Sequence, residues 1–155
     1  MATSTRLRIL IDGEAQFSRR VHGMLHAVDD WSPFLGWFRD EYIDLLKRRM
    51  DAEGAVDGES RWQDLAEGYA AWKQLKFPQA TKILQLTGDL YRAVTEPEVE
   101  LTSSMLTITI DNDYAIYHHS NEPRDGKLPR RQIADLTGPF KRRMMAAWRD
   151  TMTAP

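Results

Sequence analysis

The pattern of apolar and polar positions divides the first third of the chain into a strand and two helices. Apolar residues alternate with polar ones over residues 6–11, which predicts a short β-strand. From residue 14 to about residue 29 they recur at helical spacing and predict an amphipathic helix. Ser32-Pro33 resembles a helix N-cap followed by a proline in the first turn. We therefore expect a second amphipathic helix from this dipeptide to about residue 51.

Loops and shorter elements alternate in the middle of the chain. Residues 52–61 are rich in glycine and acidic residues, without a regular pattern, so we expect a mobile loop. Aromatic and apolar residues at helical spacing predict a short helix over residues 62–73, and the proline within residues 76–81 interrupts it. Gly88 supplies the backbone freedom for a turn into an expected strand over residues 90–95.

The clearest strand signal covers residues 99–110. Leu106, Ile108 and Ile110 alternate there with threonines, as in a strand that buries one face. We therefore expect these three residues to face the helices and the threonines to face away.

The last third of the chain ends in a predicted helix. Residues 114–119 form either a strand or a single helical turn, since periodicity does not separate the two. Residues 121–128 have the composition of a polar loop, and residues 129–136 that of a last strand. Thr137-Gly138-Pro139 then starts a C-terminal helix. Its apolar residues recur every four positions: Phe140, Met144 and Trp148.

Three or four helices and four or five strands, without βαβ alternation, predict the α+β class. The length of 155 residues favours one domain over residues 1–155. The absence of cysteine excludes disulfides, thiolate metal sites and a cysteine nucleophile. No segment has the apolar length of a signal peptide or a membrane span, so we expect a soluble protein.

Charge is distributed unevenly along the chain. Residues 124–149 contain eight basic and two acidic residues, whereas residues 51–67 contain six acidic residues and Arg61 as their only cation. Such asymmetry indicates either two differently solvated faces or a surface for a charged partner. In a homo-oligomer, the acidic segment of one copy could meet the basic segment of the next and close a ring.

From Arg61 onward the chain resembles the phage virion morphogenesis, or tail-completion, family. Four clusters, in order and with similar spacing, carry the resemblance to the family's patterns W-x-x-L then Y-A-x-x-K, I-L-x-x-T-G-x-L, Y-A-x-x-H and I-P-x-R. In this chain they are Trp62-Gln63-Asp64-Leu65 with Tyr69-Ala70-Ala71-Trp72-Lys73, Ile83-Leu84-Gln85-Leu86-Thr87-Gly88-Asp89-Leu90, Tyr114-Ala115-Ile116-Tyr117-His118, and Leu128-Pro129-Arg130-Arg131 with Asp135-Leu136-Thr137.

The resemblance implies an antiparallel β-sheet flanked by amphipathic helices in a non-enzymatic virion protein. It implies a homo-oligomeric ring, commonly a hexamer, at the neck or head-proximal end of the tail, assembled in the host cytoplasm. Its partners would be the connector, the tail tube or terminator proteins, and genomic double-stranded DNA passing through the lumen. Neither a cofactor nor a metal comes with the resemblance, and no membrane is involved.

Two groups of residues are candidates for the oligomer or partner interface. The first is aromatic and apolar, and it forms either a small core beneath the loop or an anchor on a neighbouring subunit. The second is basic, and it is either a solvated helix face or a contact for DNA or an acidic surface. The first group is Trp62, Leu65, Tyr69 and Trp72, and the second is Arg130, Arg131, Arg142 and Arg143.

A metal-dependent nuclease or phosphodiesterase is the rival hypothesis, with Asp111, Asp113, His118 and His119 as ligands. Adjacent histidines on a strand would point to opposite faces, so we expect no metal there. His22 and His26 have the spacing of paired ligands, but the glutamate of the H-E-x-x-H motif is missing. A third hypothesis is a DNA-binding morphogenesis factor. Phosphate-cradling and serine-hydrolase motifs are absent from the sequence.

Overall fold

The computed structural model of the protein describes residues 29–119 and 129–153. The strand expected at residues 6–11, the helix expected from residue 14, His22 and His26, and the loop at residues 121–128 lie outside these ranges. The described residues form five helices and one two-stranded antiparallel sheet. In chain order these are α1 (Ser32–Asp51), α2 (Glu67–Lys76), α3 (Asp89–Thr95), β1 (Glu98–Leu101), β2 (Leu106–Thr109), α4 (Ala115–His119) and α5 (Gly138–Thr153).

Helix α1 begins and ends where the sequence predicts. Proline lies in its first turn, and the carboxylate of Asp30 accepts a hydrogen bond from the Ser32 backbone N–H at 2.9 Å. Ser32 is thus the first helical residue rather than the N-cap, which is Trp31. Near its C-terminal end α1 buries a continuous face, which makes it the centre of the fold. The buried residues are Leu45, Leu46, Arg49 and Met50.

Two hydrophobic clusters pack against this face of α1, and Tyr42 contacts both. Leu46 and Met50 belong to the first cluster and Leu45 to the second, because adjacent residues of a helix point in different directions. Full burial of one such side chain contributes roughly 1.5–3 kcal/mol. The first cluster is completed by Trp62, Ile83, Val94 and Ile133, and the second by Val56 and Phe140.

Helix α5 covers the second cluster and begins at the predicted position. The Thr137 hydroxyl accepts a hydrogen bond from the Phe140 backbone N–H at 3.2 Å and donates one to the Asp57 carboxylate at 2.6 Å. Thr137 therefore caps α5 and joins it to the loop after α1. Both residues at this contact, Thr137 and Phe140, are fully buried.

The expected strand over residues 99–110 is instead a hairpin. β1 and β2 pair antiparallel, with Val99 opposite Ile108 and Leu101 opposite Leu106. The Thr102 N–H donates to the Met105 carbonyl at 2.8 Å and closes the turn between them. The apolar residues of the two strands share one face, and the hairpin contacts α1. Of the predicted inward residues, Ile110 packs against the first cluster, while Leu106 and Ile108 are half-buried.

The strand expected over residues 90–95 is wrong, since these residues form α3. Leu90 and Val94, four positions apart, point together into the first cluster. Gly88 has a φ of +90°, as the turn requires, but this turn starts a helix. Residues 114–119, where strand and helical turn were both open, contain the short helix α4.

The last strand, expected over residues 129–136, is also wrong. In this segment Gln132 and Ile133 present their carbonyls to the side chains of Trp62 and Arg49, at 3.3 and 3.1 Å. Backbone groups that bind side chains are not available to a strand ladder. The segment is irregular but buried, with Arg131 and Ile133 at 3% and 2% exposure.

Residues 52–61 form a loop, as predicted, and this loop is packed. Val56 belongs to the second cluster, and the Trp62 N–H donates to the Glu53 carbonyl at 2.8 Å. Gly54 is buried against the Trp62 ring. The mobility of this loop remains a prediction. Over the described ranges, no helix is both long enough and apolar enough to cross a membrane.

Candidate functional site

The acidic segment at residues 51–67 is largely neutralised within the chain. Along the sequence, Arg61 is the only cation within this segment. The fold brings two arginines of α1 and Lys82 next to its carboxylates. Most of the acidic side chains expected to meet the basic segment of another copy therefore already have a cation of their own chain beside them, and the contact between copies stays a prediction. The pairs are Asp51 with Lys82 (3.6 Å), Glu53 with Arg61 (2.7 Å), Asp57 with Arg48 (3.2 Å), Glu59 with Arg49 (2.7 Å), and Asp64 with Arg61.

Arg49 connects this segment to the region before α5, and no motif in the sequence pointed to it. Its side chain is fully buried, pairs with Glu59, and donates to the backbone carbonyls of Ile133 and Asp135. A buried guanidinium needs such partners, because an unpaired charge in the interior is strongly destabilising. Arg49 is thus a structural residue.

A large open groove of about 1640 Å³ lies beside the first hydrophobic cluster. Residues 62–69 form one wall, residues 84–90 a second, and residues 111–114 a third. The first two family-like clusters form walls of the groove, the third contributes Tyr114 and His118, and the last contributes Pro129 and Arg131. We call this cavity the groove. Its lining includes five carboxylates: Asp64, Glu67, Asp89, Asp111 and Asp113.

The groove also contains two cations and a histidine that are shielded from solvent. Arg131 donates to the Gln63 carbonyl at 3.1 Å, and Lys73 donates to the carbonyl of Lys82. Burial lowers the pKa of both side chains. Burial also lowers the pKa of His118, and the neighbouring charge of Arg131 lowers it further. His118 is therefore mostly neutral at pH 7.

Aromatic side chains crowd the exposed side of α2. The Tyr69 and Trp72 rings stack at 5.5 Å between centroids, and the Trp72 and Phe77 rings lie 5.7 Å apart. Tyr69 is 44% exposed, Trp72 43% and Leu75 79%. We call Tyr69, Trp72, Leu75 and Phe77 the aromatic patch. Lys73 is the only buried residue of α2.

The predicted aromatic group is therefore divided. Trp62 is 8% exposed and belongs to the first cluster, against which Leu65 also packs. Both precede α2, because the helix begins at Glu67 rather than at residue 62. For these two residues the structure supports the core alternative. Tyr69 and Trp72 remain the exposed half, and their role as an interface anchor stays a prediction.

The predicted basic group is divided as well. Arg130 is exposed and lies 3.3 Å from Asp135, whereas Arg131 is buried in the groove. Arg143 lies 3.5 Å from Glu41 of α1 and 5.6 Å above the Phe140 ring. Arg142 lies on the outer side of α5, and Lys141, Met145 and Arg149 are exposed on the same side. We call these four residues the basic face of α5.

The residues of the rival metal site are distributed over two environments. Asp111, Asp113 and His118 line the groove. His119 instead faces Asp135, with 3.4 Å between its Nε2 and the carboxylate, and its Nδ1 accepts a hydrogen bond from the Ile133 N–H. Residues 29–119 and 129–153 contain no group of three side chains placed to hold a metal ion.

A scan against protein-family models, a search of curated proteins and a search of solved structures each found no match to this chain.

Proposed function

We propose that the chain is a structural, non-enzymatic subunit of a bacteriophage virion with a tail-completion-like fold. In this proposal it forms a homo-oligomeric ring, of six copies by resemblance, in the neck or at the head-proximal end of the tail. Its neighbours are the connector and the tail tube or terminator proteins, and genomic DNA passes through the ring. The four ordered sequence clusters support the family, and the surface of the described residues supports assembly.

The observation that carries the proposal is the amount of exposed apolar surface. Among the described residues, nine hydrophobic side chains are buried and ten large ones are exposed. Single exposed apolar residues are ordinary, but grouped ones mark interaction surfaces. Here they group on the aromatic patch, on the β1–β2 hairpin, on α4 with the residue before it, and on α5. The members outside the aromatic patch are Leu101, Met105, Tyr114, Ile116, Tyr117, Met145 and Trp148.

Helix α2 illustrates why such a surface needs a partner. It has ten residues, and a helix of this length is marginal in water without tertiary packing. Its contribution to the interior is one lysine, while Trp72 and Leu75 face solvent. A neighbouring subunit that covers the aromatic patch would supply the missing packing, and Trp and Tyr are the usual residues at interface centres.

A phage that carries the gene provides the test. Trp72→Ser should leave a folded subunit that is absent from particles, so that heads and tails accumulate unjoined in electron micrographs. Gln74→Ser, an exposed change on the same helix, should leave infectivity at the wild-type titre. Normal titres for Trp72→Ser would exclude the aromatic patch from assembly, and absence of the wild-type protein from particles would contradict the function itself.

The nuclease hypothesis keeps one supporting observation, the presence of Asp111, Asp113 and His118 in the same groove. Purified protein incubated with labelled DNA and Mg²⁺ or Mn²⁺ decides between the two functions. The structural proposal expects no cleavage above that of His118→Ala. Metal-dependent cleavage that His118→Ala abolishes would replace the proposal with an enzymatic function.

A further inference from the structure

The open surface of the groove is negatively charged. Its two cations, Arg131 and Lys73, are buried and already donate to backbone carbonyls. Of its five carboxylates, Asp64 pairs with Arg61. Glu67, Asp111 and Asp113 are exposed, without an ion pair in the part of the chain that the structure describes. Asp89 is exposed and accepts a hydrogen bond from the Thr87 hydroxyl. The groove therefore attracts a cationic partner.

The basic face of α5 has the complementary character. Lys141, Met145 and Arg149 follow one another at intervals of four and Arg142 lies beside them, so that all share one side of the helix. None of its three cations has an ion pair among the described residues, whereas Arg143, around the helix, pairs with Glu41. Lys141 and Arg142 also lie in the first turns of α5, where the helix dipole disfavours positive charge. Carboxylates placed near the N-terminal end of α5 would pair with these cations and would interact favourably with the helix dipole.

The two surfaces belong to different parts of the molecule. None of the residues that line the groove comes from α5, which packs against α1 through Phe140 on its opposite side. A contact between two different surfaces of identical chains is heterologous, and it generates a ring when the rotation closes. The groove also exceeds the roughly 300–1,000 Å³ of a small-molecule pocket. Its size suits a protein segment.

From this complementarity we infer that the groove receives the basic face of α5 from a second copy of the chain. Arg142 and Arg149 lie against Asp111 and Asp113, and Met145 lies against the exposed rings at the groove's rim. The inference rests on the proposed function, because it names the contact through which the subunits assemble. The exposed rings are Tyr69 and Tyr114, at 44% and 67% exposure.

Paired charge reversal tests this contact. The groove variant carries Asp111→Lys and Asp113→Lys, and the helix variant carries Arg142→Glu and Arg149→Glu. Each should dissociate into monomers at concentrations where wild type is oligomeric in sedimentation velocity. The expected rise in dissociation constant is at least about tenfold, and it should shrink at high salt, as for exposed charge pairs. The control Lys47→Glu with Arg92→Glu changes net charge as the helix variant does, on exposed residues of α1 and α3.

Mixing the two variants is the decisive measurement. The groove variant keeps its basic helix, which fits the acidic groove of the helix variant. The helix variant has an acidic helix, which fits the basic groove of the groove variant. The mixture should therefore recover wild-type oligomers. Circular dichroism melts confirm that each variant is folded. A monomeric wild type, full assembly of either variant alone, or a mixture that stays monomeric would overturn the inference. If phages that carry either charge-reversed variant still joined their heads to their tails, the inference would be overturned as well. Absence of the wild-type protein from particles would instead refute the proposed function.

Discussion

At the residue scale, Gly54 shows how one backbone conformation holds the loop after α1 in place. Its φ is +94°, and a Cβ atom at this position would lie 2.5 Å from Cδ1 of Trp62. Glycine is therefore needed for two separate reasons, its left-handed backbone and the approach of the ring. The glycines of residues 52–61 led us to expect a mobile loop from composition, but Gly54 is a packing position against Trp62.

Gly54→Ala should accordingly cost more stability than Gly58→Ala, its neighbour in the same loop. Gly58 has a φ of +87°, but a Cβ atom added there would have no atom within 4 Å. We expect about 1–2 kcal/mol for the strained backbone in either variant. Gly54→Ala should lose a further ~1–3 kcal/mol because the Trp62 ring must move. Urea denaturation measures both, and equal losses would contradict the close approach.

His118 should make stability depend on pH below about pH 6.5, the ordinary histidine value. Burial and the Arg131 charge lower its pKa in the folded state, and its Nδ1 is buried without a hydrogen-bond partner among the described residues. Between the unfolded and the folded pKa, the unfolded chain binds a proton that the folded chain does not. The free energy of unfolding therefore falls as pH falls through this window.

His118→Gln removes that titration. Denaturation of both proteins between about pH 7.5 and pH 5.5 should give a smaller slope of unfolding free energy against pH for the variant. The carboxylates with lowered pKa, such as Asp57 and Glu53, titrate at more acidic pH and affect both proteins alike. Parallel slopes would mean that His118 binds its proton as readily in the folded protein as in the unfolded chain.

At the element scale, Thr137 decides where α5 begins and what it is joined to. Thr137→Val keeps the shape of this fully buried residue but removes its bonds to Phe140 and Asp57. Loss of a helix cap costs about 0.5–2 kcal/mol, and we expect the upper part of that range here. Thr153→Val, near the exposed end of α5, is the matched control and should change the unfolding free energy little. Equal effects would show that the cap is unimportant.

The accuracy of the element predictions followed the amount of local information. α1 and α5 were predicted to within a few residues, because proline, a hydroxyl or carboxylate near the first turn and apolar periodicity all agree. Short elements were less predictable. Residues 90–95 contain β-branched and aromatic residues that favour a strand, but burial of Leu90 and Val94 against α1 made them a helix.

At the scale of the whole molecule, Trp62 and Trp72 lie in different environments. Trp62 is 8% exposed in the first cluster, and Trp72 is 43% exposed on α2. Trp62→Ala should lose roughly 3–5 kcal/mol of unfolding free energy, a large part of the roughly 5–15 kcal/mol of a typical domain. Truncation of Trp62 is thus a test of folding, not of the interface for which the sequence made it a candidate.

Trp72→Ala should change the stability of the isolated subunit by less than about 1 kcal/mol, as surface substitutions do. The two variants are compared by urea denaturation at concentrations below those of assembly. A Trp72→Ala loss as large as that of Trp62→Ala would place Trp72 in the subunit's own core and would remove the aromatic patch as an interface candidate.

By itself the sequence determined the α+β class and the two long helices. These depend on local signals, such as helix-start residues and the spacing of apolar positions, which act over one or two turns. The sequence also pointed to Tyr69, Trp72 and Arg142, which are exposed and suited to contact a partner.

Only the tertiary structure decided which charges and rings remain available. Arg48, Arg49 and Lys82 pair with half of the carboxylates of the acidic segment, although all three cations lie outside it. Trp62 and Arg131 are buried because segments about 70 residues apart meet, with Trp62 bound to the Gln132 carbonyl. A count along the chain contains no information about such distant partners, since ion pairing and burial depend on distance in space.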